Sequence, residues 1–156
     1  MKHLNQFITE YIIKKKLDNP IDSEHNYKYF PATRQELFKI TQELIDKGQY
    51  DLNCINTEHI TDMNNLFVKA PDIDISGWNV SNVKNMRNMF DECRNFTGKG
   101  LENWDVSNVT NMRYMFNNCR NFNSDLSNWD VSNVEDMTCM FYNCNSLKNK
   151  PNWYKA

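Results

Sequence analysis

Residues 104–122 read WDVSNVTNMRYMFNNCRNF, and closely similar stretches begin at Trp78 and Trp129. These tryptophans and Trp153 follow one another at intervals of 26, 25 and 24 residues. Self-similarity at such a period is typical of stacked repeats, in which each unit buries its apolar face against its neighbours. A weaker copy occupies residues 55–67, so the sequence predicts about four coils.

The apolar residues of the middle copy recur at the i, i+3, i+4 spacing of one helical face. They are Val106, Val109, Met112, Met115, Phe116 and Cys119. Ser107 would cap the N-terminus of such a helix, because a serine hydroxyl can accept an unpaired backbone N–H. The alternation from Phe122 to Leu126 favours a brief strand. Each coil is therefore predicted as helix, turn, strand, turn, and stacked coils would join their strands into a parallel sheet.

The segment before the repeats has the signals of a helix. Thr33 and Glu36 form a capping-box pattern, and Gly48 is a suitable C-cap. We expect this helix to cover the exposed end of the repeat stack, which would otherwise pair with other chains. A short strand is predicted just before it, around Tyr29.

The chain divides into three predicted segments. Residues 1–26 form an amphipathic helix with a polar linker, residues 27–50 a capping strand and helix, and residues 51–156 the repeats. The opening stretch lacks the uninterrupted apolar run of a signal peptide, and no stretch reaches the roughly 20 apolar residues that cross a bilayer. A cytoplasmic protein that does not contact membrane is expected.

Charge and composition exclude several function classes. With 18 basic and 20 acidic residues, the formal net charge is −2, which does not favour binding to nucleic acid. The five cysteines include no CxxC pair, and the three histidines are scattered. No catalytic constellation, metal site or cofactor site can be assembled, so the chain is predicted to be a non-enzyme with another protein as its partner.

Three cysteines, Cys93, Cys119 and Cys144, share one repeat position on the apolar face. Thiols at such positions act more often as small hydrophobic groups than as ligands, so we expect a buried column. Cys139 falls on the outward stripe instead. The sequence leaves two alternatives for Cys139, a reactive thiol and an inert one.

Positions that change from copy to copy predict where a partner would bind, because packing leaves them free. Arginine and tyrosine are common anchors of protein interfaces. The candidate residues on the outward stripe are Arg87, Asp91, Arg113, Tyr114 and Tyr142. A second candidate surface on the predicted strand side comprises Glu102, Ser127 and Asn128. An ordinary solvated face is the alternative for both. The repeated asparagines Asn82, Asn108 and Asn133 could also suggest a binding surface, but they are predicted instead to form a ladder that satisfies backbone groups at the turns.

The block WDVSNVTNMRYMF followed by NNCRNFNSDLSNW resembles the BspA-like leucine-rich repeats of bacterial surface proteins and mycoplasmas. The similarity extends upstream to FPATRQELFKI and DLNCINTEHITDMNNLF, and covers about residues 27–150. The resemblance implies an α/β fold, a short solenoid of leucine-rich-repeat type with about four helix-turn-strand coils and a helical N-terminal cap.

The resemblance also implies protein recognition without an active site. Small members that lack an export leader resemble proteins carried by phages and other mobile elements. One implied role is therefore an inhibitor in the host cytoplasm, which occupies a host protein such as a CRISPR effector nuclease. The alternative is an adhesion or structural repeat protein of a cell surface or virion.

Overall fold

The computed structural model describes residues 26–155 of the chain. Within them lie one α-helix, α1 (Arg34–Asp46), and one short 3₁₀ helix (Leu101–Asn103). All β pairing occurs as isolated parallel bridges rather than strands: Tyr29 with Ile55, Asp51 with Asp74, and a series through Asp62, Asn85, Asn111 and Asp136. The amphipathic helix and linker predicted at the N-terminus lie outside the described residues.

The prediction of an α/β solenoid of leucine-rich-repeat type, with helix-turn-strand coils and a parallel sheet, is therefore wrong. Between residues 51 and 155 the backbone forms turns and single bridges, and the predicted repeat helices and strands do not form. The strand predicted before α1 is reduced to the one bridge at Tyr29. Ser107 caps no helix: its N–H and hydroxyl both donate to Oδ1 of Asp105, which closes a local turn.

The repeats form a stack of coils, which we number 1 (52–74), 2 (75–100), 3 (101–125) and 4 (126–154). One face of the stack is held by backbone hydrogen bonds between successive coils. We call it the ladder wall, and it consists of residues 62–69, 85–92, 111–118 and 136–143. Twelve bonds of 2.8–3.0 Å cross it, four between each pair of coils, and each runs from an N–H of one coil to a carbonyl of the next.

Left-handed backbone conformations explain why the wall is not helical. Each coil has two residues at positive φ in its wall segment, such as Tyr114 (φ 55°) and Asn118 (φ 59°) in coil 3. A residue with positive φ ends a right-handed helix, and asparagine tolerates this conformation better than most residues. Half of the eight positions are asparagine: Asn65, Asn88, Asn118 and Asn143. Two successive turns of four residues therefore replace the predicted helix.

The apolar spacing from the sequence is nonetheless correct as a description of the core. Val106, Val109, Met112, Met115 and Phe116 are all at most 1% exposed. Phenylalanines from successive coils stack into columns. The rings of Phe67, Phe90, Phe116 and Phe141 have centroids 5.4–5.8 Å apart, with interplanar angles of 15° or less. Because every coil supplies the same ring, each ring is packed on both faces within the stack.

Helix α1 begins as the capping box predicts. Thr33 is its N-cap, and the Thr33 hydroxyl oxygen accepts the backbone N–H of Glu36. It ends at Asp46, just before Gly48, which has φ 78°. Leu37 and Ile40 are fully buried in the same core cluster as the residues of coil 1. The apolar face of α1 therefore packs into the same core as the repeats.

Candidate binding surfaces

The ladder wall aligns the candidate residues of the outward stripe. The N–H of Asn65 donates to the Arg87 carbonyl, and the N–H of Asn88 donates to the Arg113 carbonyl, so these arginines occupy equivalent rungs. Tyr114 follows Arg113 in the chain. Asp91 and Tyr142 occupy equivalent positions of another rung, since their carbonyls accept the N–H groups of Lys69 and Asn118. The structure thus places all five predicted residues of the stripe on one wall.

Arg113 is the most highly connected of these side chains. Its guanidinium carbon lies 5.0 Å from the centroid of the Tyr114 ring, and Nη1 lies 3.6 Å from Oδ2 of Asp136 on the next coil. The contact with Tyr114, followed by the charge of Asp136, raises the pKa of Arg113 above its ordinary value. The pair presents a cation over an aromatic ring at a half-buried position.

The remaining members of the stripe differ in exposure. Tyr142 is 59% exposed, the most exposed of the large hydrophobic side chains described, and Arg87 is also exposed. Asp91 is half-buried and accepts a hydrogen bond of 2.7 Å from Nδ2 of Asn117. The wall therefore offers a free tyrosine and a free arginine beside side chains that are already held in place.

The second candidate surface lies at a different place on the stack, among turns rather than strands. Glu102 belongs to the 3₁₀ helix, and one of its carboxylate oxygens accepts the Ser124 hydroxyl at 3.2 Å. Ser127 donates its N–H and hydroxyl to Oδ1 of Asp125, and Asn128 is exposed beside it. Glu102 and Asp125 line one shallow groove of about 730 Å³. Ser127 is committed to its own turn and offers less to a partner.

The repeated asparagines have the structural role that the sequence predicts. Nδ2 of Asn82, Asn108 and Asn133 donates to the Glu58, Ser81 and Ser107 carbonyls of the preceding coil, in each case at 2.7 Å. A side-chain amide thereby satisfies a backbone carbonyl at each step of the stack.

The cysteines at the shared repeat position form a column in which Cys93 and Cys119 are buried and Cys144 is half-buried. Cys119 and Cys144 donate their thiols to the Phe90 and Phe116 carbonyls at 2.9 and 3.0 Å. Burial raises the pKa of Cys93 and of Cys144 to about 12, so both remain protonated near neutral pH. Cys139 is half-buried and lines a cleft on coil 4, and its reactivity stays a prediction.

Sequence reasoning missed two features at the ends of the stack. At the N-terminal end, Nε and Nη2 of Arg34 donate to the Asn64 carbonyl at 2.8 and 2.5 Å. At the C-terminal end, a cleft of about 550 Å³ is lined by residues that include Cys139, Tyr142, Lys150 and Tyr154. Neither feature belongs to the repeat pattern, so comparing the copies could not reveal it.

In the described part of the chain, no helix combines the length and the apolar character needed to cross a lipid bilayer. Among residues 26–155, no three histidine, cysteine or acidic side chains converge as a metal ion would require.

A family model described as a Mycoplasma protein of unknown function, DUF285, matches residues 34–154. The match begins with α1 and ends in coil 4, so it takes in the helical cap and the whole stack. No curated protein and no solved structure is detectably similar to the chain. Since the family model covers well over half of its residues, the chain belongs to the DUF285 family.

Proposed function

We propose that this protein is a non-catalytic module that binds another protein through its ladder wall. The observation that carries the proposal is the alignment of Arg87, Arg113, Tyr114 and Tyr142 on one face whose backbone is hydrogen-bonded coil to coil. Arginine and tyrosine are enriched among the residues that contribute most to protein interfaces. A backbone that is already ordered also loses little conformational entropy when a partner binds.

The variation between coils supports the same surface. Equivalent positions hold Asn88, Tyr114 and Cys139, or Asp91, Asn117 and Tyr142, whereas the core residues beneath them barely change. Asn117 and Asp91 are hydrogen-bonded to each other, yet Tyr142 at the same repeat position is exposed, so the fold does not require one kind of side chain there. The fold does not explain why these side chains differ from coil to coil, whereas binding to a partner would.

We retain the relationship to BspA-like repeat proteins as part of this proposal, on the basis of the repeat sequence and without the leucine-rich-repeat architecture. The resemblance to small proteins of mobile elements makes a host-cell protein, such as a CRISPR effector nuclease, the first candidate partner to test.

The test is a pull-down with the intact chain, followed by titration of the purified partner. Exchanging Arg87 and Arg113 for glutamate should weaken binding at least about tenfold, because two interface anchors change sign. Arg87→Glu alone keeps the Arg113 contacts intact and separates a loss of binding from a loss of folding.

A matched control comes from Arg94 and Arg120, which are also exposed arginines on neighbouring coils, outside the wall segments. Their double exchange for glutamate should leave affinity unchanged. Failure to recover a stoichiometric partner, or equal losses from the two double variants, would contradict the proposal.

A further inference from the structure

The twelve rung hydrogen bonds of the ladder wall all point the same way, and only two longer bonds of 3.3 Å at its start, from the N–H groups of Asn111 and Asp136, run back to the preceding coil. In each of the twelve, the donor N–H belongs to the earlier coil and the acceptor carbonyl to the later one. An ordinary sheet edge alternates donors and acceptors, whereas this wall ends in carbonyls at one end and in N–H groups at the other. The two ends therefore require partners of opposite hydrogen-bonding character.

At the carbonyl end, the chain itself occupies one of the four rungs, that of the Asn64 carbonyl. The Asn64 carbonyl of coil 1 occupies the rung where, farther along, the Arg87 and Arg113 carbonyls accept N–H groups from the preceding coil. Arg34 of α1 takes the place of that missing coil by donating twice to the Asn64 carbonyl.

The N–H end is not covered in this way. The N–H groups of Met137, Cys139 and Asn143 on coil 4 correspond to donors that are paired in the other three coils, yet no acceptor from residues 26–155 reaches them. At the remaining rung, that of Phe141, Tyr154 packs edge-on against the phenylalanine ring, with the ring centroids 5.0 Å apart. Three aligned donors thus remain at the edge of the wall.

Apolar surface is uncovered at the same end. Val131, Val134 and Met137 of coil 4 are only partly buried, whereas their counterparts in coil 3 are at most 1% exposed. The cleft of about 550 Å³ lies directly along the unpaired donors, since Met137 and Cys139 line it together with Tyr142 and Tyr154. Backbone donors and an apolar floor therefore occur side by side.

We propose that this edge binds a segment of another protein, which adds to coil 4 as a further rung through its backbone carbonyls. Within the wall, alternate residues of each coil present their carbonyls to the preceding coil, so a segment with the same backbone conformation matches donors placed at every second residue of coil 4. Apolar side chains of the segment would cover the partly exposed end of the core.

The geometry argues against a second copy of this chain as the occupant. Two N–H edges cannot pair with each other, because both present donors only. At the carbonyl edge of another copy, Arg34 already donates to the Asn64 carbonyl, so head-to-tail stacking would first have to displace it. The expected occupant is therefore a heterologous segment that presents a row of acceptors.

The test uses peptides selected from a random displayed library by panning on the intact chain. A selected peptide should slow amide exchange of Met137, Cys139 and Asn143 at least about tenfold. Each peptide amide is then replaced by an ester, whose carbonyl is a weaker acceptor. Loss of one hydrogen bond lowers affinity by about 2- to 10-fold, and the losses should occur at alternate positions of the peptide.

Two controls make the outcome specific. In a chain with a second copy of residues 126–154 fused after Ala156, the appended coil would pair with the same donors, and peptide binding should disappear. Arg87→Glu should leave peptide binding intact, so this edge and the side chains of the wall can fail independently. Failure to select a peptide, an ester scan without alternation, or self-association of the chain through this edge would overturn the proposal.

Discussion

At the residue scale, small differences between equivalent positions reveal what each coil contributes. The indole N–H of Trp78 and of Trp129 donates to a leucine carbonyl of the preceding coil, and that of Trp153 donates to the Leu126 carbonyl at the start of coil 4, at 2.8–3.0 Å. The indole N–H of Trp104 is buried without a partner. The sequence around these tryptophans is nearly the same, so only the structure distinguishes the unpaired one.

This difference gives a matched pair of substitutions, Trp104→Phe and Trp129→Phe. Trp104 and Trp129 are 5% and 4% exposed, so both variants lose similar apolar contact. Trp129→Phe also breaks the bond to the Leu101 carbonyl, and we expect it to lower the free energy of unfolding by about 1 kcal/mol more than Trp104→Phe. Urea unfolding of both variants measures the difference. Equal losses would mean that the Trp129 hydrogen bond contributes nothing net.

At the scale of elements, the wall carbonyls of a coil receive their hydrogen bonds from different donors, depending on which element precedes that coil. Within the stack a preceding coil supplies the donors, whereas at the first coil Arg34 of α1 supplies donors to the Asn64 carbonyl alone. The capping role of the helix could be predicted from its amphipathic pattern and its position before the repeats. The residue that performs the polar part of this role could not, because Arg34 and Asn64 are 30 residues apart.

Arg34→Ala should therefore destabilise the stack from its N-terminal end. The variant leaves the Asn64 carbonyl without its charged donor, and we expect a loss of about 1.5 kcal/mol in the free energy of unfolding. Arg34→Lys keeps the charge but not the forked pair of donors, so it should recover only part of this loss. Thermal and urea unfolding measure the stability of both variants. If Arg34 acted only through its charge, Arg34→Lys would recover the whole loss.

The phenylalanine columns are the second element that carries stability. Phe116 is fully buried and stacks on Phe90, Phe122 and Phe141. Phe116→Ala opens a cavity between coils and should cost about 3–5 kcal/mol. Tyr142→Ala, an exposed aromatic truncation one residue after Phe141, serves as the control and should change stability by less than about 0.5 kcal/mol. Comparable losses from the two variants would contradict the packing described above.

At the scale of the whole molecule, stability is shared between neighbouring coils, and acidic groups at the turns add a dependence on pH. The hydroxyls and N–H groups of Ser107 and Ser132 hold the pKa of Asp105 and of Asp130 below their ordinary value. Similar hydrogen bonds, chiefly from the residue two positions later, lower the pKa of three further carboxyl groups, those of Asp74, Asp125 and Asp136. Because these pKa values are lower in the folded state, protonation favours the unfolded chain.

The free energy of unfolding should accordingly be constant above about pH 5 and fall as the pH drops below about 4. Coil 2 shows that asparagine can replace the aspartate, because the Ser81 N–H donates to Asn79 in the same way as the Ser107 N–H donates to Asp105. Exchanging Asp105 and Asp130 for asparagine should preserve the turns and reduce the acid sensitivity. Urea titrations between about pH 3 and pH 7 measure both effects, and an unchanged slope would rule out these carboxylates as its cause.

The sequence by itself determined the repeat, its period, the identity of the buried residues and the capping helix, because apolar spacing and helix caps are local signals. It also indicated correctly that the repeated asparagines bridge coils. It could not determine the secondary structure of a coil, since apolar residues three and four apart fit both an α-helix and two consecutive four-residue turns. The tertiary structure decided between them: every second N–H of the wall is donated to the next coil and is therefore no longer available for an intrahelical bond. The same pairing set the direction of the wall and left unpaired donors at one end, a property that exists only after the coils have stacked.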